Sequence, residues 1–123
     1  NMVAAGVARE MLVQVAYAIG KPKPVSIFVN TFGTAKINLS DREIADRIGK
    51  MFDMRPLAIE KRLKLRNPVY VETAAYGHMG RTPQTVVKTF QGRYDAAPIV
   101  REVELFTWEK LDMVDTIRKE FGL

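Results

Sequence analysis

The chain has 123 residues, 47% of them apolar and 27% charged, with 19 Lys and Arg against 14 Asp and Glu and no Cys. That balance excludes a disordered tail, a disulfide framework, a thiolate metal site and a cysteine nucleophile, and no apolar run approaches the ~20 residues that a helical membrane span needs. The net charge of +5 is compatible with an anionic ligand and too small to demand one.

A chain of this length makes one ordinary domain, able to bury about two-thirds of its unfolded surface without staples. In chain order, Met2–Glu10 (MVAAGVARE) reads as the last turns of a helix whose start is missing, because Val3, Val7 and Met11 recur at four-residue spacing with no N-cap before them. The chain is therefore expected to be a piece of a longer one. Met11–Ile19 (MLVQVAYAI) alternates as a strand, with Met11, Val13, Val15, Tyr17 and Ile19 expected on the core side. Gly20, Pro22 and Pro24 mark a turn or extended link. Val25–Thr31 (VSIFVNT) is a second strand, and the short link makes the two an antiparallel pair.

Leu39-Ser40-Asp41-Arg42-Glu43-Ile44 carries a capping box: Ser40 caps a helix and Glu43 returns the bond, with Leu39 and Ile44 as an apolar staple. A helix over 41–52 follows, with Ile44, Ile48 and Phe52 on its buried face. Asp53-Met54-Arg55-Pro56 breaks it, and Pro56 suits the first turn of another helix. Asn67-Pro68 is a turn, Val69–Val71 an extended piece and Thr73–Arg81 an irregular loop. Thr85–Phe90 and Ile99–Leu105 form a β-hairpin around a loop over 91–98. A last helix starts at Thr107 as its cap, buries Leu111, Val114, Ile117 and Phe121, and stops at Gly122. The sum predicts an α/β (α+β) fold, a two-layer sandwich of a mainly antiparallel sheet with helices on one face.

Few residues offer chemistry. His78, the only histidine, lies in a glycine-flanked loop as an acid, base or phosphate contact, or as a residue bonded to backbone or water. Gly77, Gly80 and Arg81 suit an anion nest or simply a turn that needs glycine freedom. The run Lys61–Arg66 (KRLKLR) could meet an acidic polymer, but a helix with charge outside and leucine inside explains it. Tyr17 and Phe28 could stack bases, yet the aromatic-rich strand of RNA-binding modules is absent. The carboxylates do not pair into an acid–base site.

Several segments are distinctive as a set: QVAYAIG (Gln14–Gly20), PVSI (Pro24–Ile27), TFGT (Thr31–Thr34), FDMRP (Phe52–Pro56), NPVY (Asn67–Tyr70), TAAYGHMGR (Thr73–Arg81) and FTWEKLD (Phe106–Asp112). In this order, and over nearly the whole chain, they resemble the C-terminal part of the S-adenosylmethionine synthetases (methionine adenosyltransferases). The resemblance implies one of three similar intertwined α/β domains. It implies an enzyme in which methionine sulfur attacks the ribose carbon of ATP and displaces triphosphate, later cleaved to phosphate and diphosphate, with magnesium and potassium assisting. It also implies sites built between the subunits of a homodimer or higher homo-oligomer.

The family's catalytic His, metal-binding Asp, potassium-binding Glu and phosphate-binding Lys and Arg lie in motifs such as GAGDQG that this chain lacks, and His78 is not that catalytic His. No catalytic and no metal residue is therefore assigned, and the chain by itself is expected to be inactive and to bind no cofactor. The resemblance carries over Ile19 as a packing contact to adenine, and Gln14 and Tyr17 as interface candidates. Familiar members run almost directly from the GHMGR-like loop to the FTWEK-like segment, so 82–105 reads as an inserted hairpin within a single domain over 1–123. A cytoplasmic location is expected, with no nucleic acid and no membrane as partner. The alternative is a stand-alone nucleotide- or acidic-polymer-binding module of the same fold.

Overall fold

The computed structural model describes residues 1–94 and 96–123. Asp95, in the loop of the expected hairpin, lies outside them. The elements are α1 (Met2–Ala5), β1 (Leu12–Ala16), β2 (Ser26–Asn30), α2 (Asp41–Met51), α3 (Pro56–Arg62), α4 (Tyr70–Ala74), β3 (Gln84–Phe90), β4 (Ile99–Leu105), a 3-10 turn (Thr107–Glu109) and α5 (Val114–Phe121). The class is α+β with antiparallel strands, as expected. Among the described residues the strands form two separate two-stranded ribbons, β1–β2 and β3–β4. The contacts divide into two compact units, Asn1–Ile59 with Leu111–Leu123, and Glu60–Lys110.

In the first unit, β1 and β2 pair antiparallel from Leu12 opposite Asn30 to Ala16 opposite Ser26. Helix α2 lies on one face of this ribbon. Val29, Ile44, Ala45, Ile48 and Ile117 are buried together with Met2, Ala5 and Val7, and Ile27 packs against them. The register sets Val13 and Val15 opposite Val29 and Ile27, on this inner face as the alternation predicts, although Val13 stays 38% exposed. The capping box is present: the Ser40 hydroxyl accepts from the Glu43 N–H, and the Glu43 carboxylate accepts from the Ser40 N–H at 2.8 Å. Thr31, at the end of β2, donates its hydroxyl to Asp41 in the first turn of α2 at 2.6 Å. Helix α1 is a single turn, shorter than the pattern over 2–10 suggests, because Gly6 takes the left-handed conformation at φ 93° and ends it.

The second unit buries Val69, Val103, Leu105 and Phe106, with Val86 and Phe90 packed against them from β3–β4. The hairpin falls where the sequence puts it, Gln84 opposite Leu105 through Phe90 opposite Ile99. Two expectations differ. Val69–Val71, read as extended, instead leads into helix α4. Among the described residues no strand hydrogen-bonds to it, so the stretch satisfies its backbone in a short helix, and the Thr73 hydroxyl reinforces that turn by donating to the Tyr70 carbonyl at 2.8 Å. Thr107 does not cap a long helix. Its hydroxyl donates to the Leu63 carbonyl at 2.7 Å, and only a 3-10 turn forms there. The helix proper begins at Val114, which leaves Leu111, expected on its buried face, before it and 60% exposed, and Gly122 ends the helix at φ 70° as expected.

Candidate functional site

The best-built feature outside the cores lies where β1 ends. After Ala16 the chain makes a turn over Ala18–Lys21, closed by the Lys21 N–H donating to the Ala18 carbonyl at 3.1 Å. Gly20 holds φ 77°, the positive value that the third residue of a type II turn requires. Ile19 occupies the second position and is fully exposed, at 107%. The sequence reading placed Ile19 and Tyr17 on a core-facing strand. The strand ends too early for that, and Tyr17 is 43% exposed.

Tyr17 is nonetheless anchored. Its hydroxyl donates to the Met54 carbonyl at 2.6 Å. That carbonyl belongs to a fixed turn, because Asp53 and Arg55 on either side are joined by four bonds: Arg55 Nε to Oδ1 at 2.9 Å and to Oδ2 at 3.1 Å, Nη2 to Oδ2 at 2.6 Å, and the Arg55 backbone N–H to Oδ1 at 3.2 Å. These bonds from Arg55, side chain first and backbone second, hold the Asp53 carboxyl at about 2, well below its ordinary 3.8, and the Lys23 charge adds to the effect. Beside this turn a cleft of about 600 Å³ is lined by Lys23, Ile27, Lys50, Met54 and Arg55 among others.

Gln14 is exposed in the middle of β1 and sits opposite Phe28 on the outer face of the ribbon. It does not join Tyr17, whose hydroxyl reaches Met54. Phe28 sits opposite Gln14 within the ribbon while Tyr17 lies beyond the end of β1 and bonds to Met54.

In the second unit His78 finds a carboxylate. Its Nδ1 lies 2.9 Å from Glu109 Oε1, and its ring meets Trp108 edge-on at 5.3 Å. Arg81 lays its guanidinium 4.7 Å from the Phe106 ring centre, and Gly77 and Gly80 both hold positive φ. The glycines are thus needed for the backbone, and Arg81 covers an aromatic ring. The basic run 61–66 spans the end of α3 and a turn, where Lys64 pairs with Glu104 at 2.8 Å and Arg66 with Glu60 at 2.5 Å. Among the described residues no three His, Cys, Asp or Glu side chains converge into a group that could hold a metal ion. No helix is long and apolar enough to cross a membrane among them. The sequence reading missed the Asp53–Arg55 clamp and its carbonyl. The Asp-x-Arg spacing was visible, but only as a helix breaker.

Residues 1–91 match the family described as S-adenosylmethionine synthetase, C-terminal domain. The chain is 69% identical over all 123 of its residues to the S-adenosylmethionine synthase of Parabacteroides distasonis, of which it covers 29%. It is 67% identical, again over its whole length, to the S-adenosylmethionine synthase of Porphyromonas gingivalis, of which it covers 28%. Among solved structures, an unusual S-adenosylmethionine synthetase from Campylobacter jejuni superposes on 96% of this chain, with a TM-score of 0.73 and 28% identity, over 26% of its own length. The chain thus spans under a third of the length of these relatives.

Proposed function

The chain belongs to the S-adenosylmethionine synthetase C-terminal domain family, and from that membership we propose that it acts as the C-terminal domain of a methionine adenosyltransferase. The parent enzyme would join methionine sulfur to the ribose carbon of ATP, break the bond to triphosphate, and release phosphate and diphosphate. The observation that carries this reading is the likeness of the whole chain, end to end, to one stretch of named synthases. In it, 1–123 is most of one domain with 82–105 as an insertion, and the enzyme works in the cytoplasm as a homo-oligomer.

Within that enzyme the residues of this chain supply packing and contacts. Ile19 packs on the adenine of ATP. What supports this is a large aliphatic side chain held wholly in water by a hydrogen-bonded turn, a placement that forgoes about 1.5–3 kcal/mol of burial until an apolar surface covers it. Gln14, on the open face of the β1–β2 ribbon, and Tyr17 belong to the subunit contact. Magnesium and potassium would neutralise polyphosphate charge when bound, and their ligands are assigned to the parent enzyme outside this chain.

The test is the full reading frame containing this chain. The purified product is expected to form S-adenosylmethionine from ATP and methionine, and residues 1–123 alone are expected to form none. Ile19→Asp in the full-length protein sets a carboxylate against the base and should weaken ATP binding on the order of tenfold or more. Turnover by 1–123 alone, or unchanged ATP affinity in Ile19→Asp, would remove the corresponding part of the reading.

A further inference from the structure

The loop between β1 and β2 has to hold Ile19 in place with little packing of its own. It is closed at its base by the Val25 N–H donating to the Ala16 carbonyl at 2.9 Å, and at its tip by the Lys21–Ala18 bond. Neither bond stops the loop from swinging as a flap about the end of the ribbon. A directional restraint comes from a segment distant in sequence, the hydroxyl of Tyr17 on the Met54 carbonyl, and Tyr17 is the residue directly before the turn; the Lys23 charge near Asp53 adds an attraction without fixed geometry. The acceptor is itself immobilised, since Asp53 grips both the side chain and the backbone N–H of Arg55.

We infer that Tyr17 is a positioning residue for nucleotide binding: its hydroxyl pins the start of the Ala18–Lys21 turn to Met54 and so presents Ile19 in a fixed place to the adenine. This inference rests on the proposed adenine contact of Ile19. The physical effect is preorganisation. A loop that is already ordered loses less conformational freedom when a ligand docks on it. Removing the hydroxyl leaves the apolar ring, the turn and Ile19 intact, and transfers the ordering cost to the binding step. The consequence falls on the apparent affinity for ATP and not on the chemical step, whose reacting atoms Tyr17 does not touch in this reading.

The experiment compares Tyr17→Phe, Ile19→Ala and the double variant in the full-length synthetase, with KM for ATP, KM for methionine, kcat, melting temperature and sedimentation measured for each. Tyr17→Phe is expected to raise KM for ATP about threefold to tenfold, the scale of one net hydrogen bond. It should leave kcat and KM for methionine within about twofold, the scatter ordinary for a neutral surface change. In the double variant the hydroxyl should add little beyond Ile19→Ala, because the two act as one unit. If Ile19→Ala leaves KM for ATP unchanged, the adenine contact fails and the inference loses its basis. If Ile19→Ala raises it and Tyr17→Phe does not, the adenine contact stands and the positioning role is overturned. If Tyr17→Phe acts only by dissociating subunits, seen as activity lost on dilution with a shifted sedimentation coefficient, the positioning role is likewise overturned.

Discussion

Asp53 and Arg55 lie two residues apart at the exit of α2, close enough for a bidentate pair with a backbone bond added. Both side chains are about half exposed, so the pair gives the turn its geometry more than it adds to global stability. Its titration is a direct readout. The folded carboxyl sits at about 2, against 3.8 as its ordinary value. A carboxyl depressed on folding favours the folded turn at every pH above its unfolded value, and that preference fades as pH falls through the folded one. The window here therefore runs from near 4 down to about 2. A carbon-detected titration of the Asp53 carboxyl should show a midpoint near 2, and Arg55→Gln should move it back toward 3.8. A midpoint in the wild type already near the ordinary value would mean that the clamp is not formed in solution.

At the scale of elements, the contrast between α2 and its neighbours explains what was legible in the sequence. Helix α2 is specified locally: Ser40 and Glu43 cap it, Asp41 and Glu43 suit the positive end of its dipole, and Ile44 and Ile48 repeat on one face. The hairpin β3–β4 is likewise local, two β-rich runs around a loop. Failures came where a distant partner decided the outcome. Thr107 looks like a cap, but its hydroxyl is taken by Leu63. Val69 begins a β-rich stretch that no strand among the described residues pairs with. Tyr17 and Ile19 continue the alternation of β1, yet β2 offers nothing beyond Ser26 to pair with them as strand. Periodicity says which face a strand residue takes, not where the strand stops. At the candidate site, Ile19 was named by resemblance, while the Tyr17–Met54 bond spans 37 positions and left no sequence signal.

The same helix supplies an energetic test. Ile48 is 2% exposed and packs in the cluster built on Val29, Ile44 and Ile117. Ile48→Ala removes buried methylenes and leaves a hole that close-packed neighbours fill only partly, which costs about 2–5 kcal/mol. Ser40→Ala removes one half of the capping box and should cost about 0.5–2 kcal/mol. Urea unfolding followed by far-ultraviolet circular dichroism ranks the two. Equal effects would mean that α2 is held by its ends and not by its buried face.

For the whole molecule, the governing fact is a ribbon covered on one side only. Two strands alone are marginal in water and need a layer on an apolar face. Helix α2 supplies that layer inside, over Ile27 and Val29. Outside, the register puts Leu12, Gln14 and Ala16 beside Phe28 and Ser26, and Leu12 and Phe28 remain 47% and 52% exposed. Both ribbon edges also carry backbone groups with no third strand among the described residues, the usual template for pairing with another chain. Under the proposed homo-oligomeric enzyme, this face is the natural seat of a second copy, and Gln14 lies at its centre. Sedimentation equilibrium of residues 1–123 should then show concentration-dependent self-association. Phe28→Lys, which sets an ammonium on the outer face without touching the cluster around Val29, should shift the chain to monomer while leaving the circular dichroism spectrum and melting temperature nearly unchanged. A wild-type chain that stays monomeric at every concentration would sink the idea, because an apolar face that does not recruit its own copy has another use. A Phe28→Lys variant that associates as strongly as the wild type would move the contact to another surface.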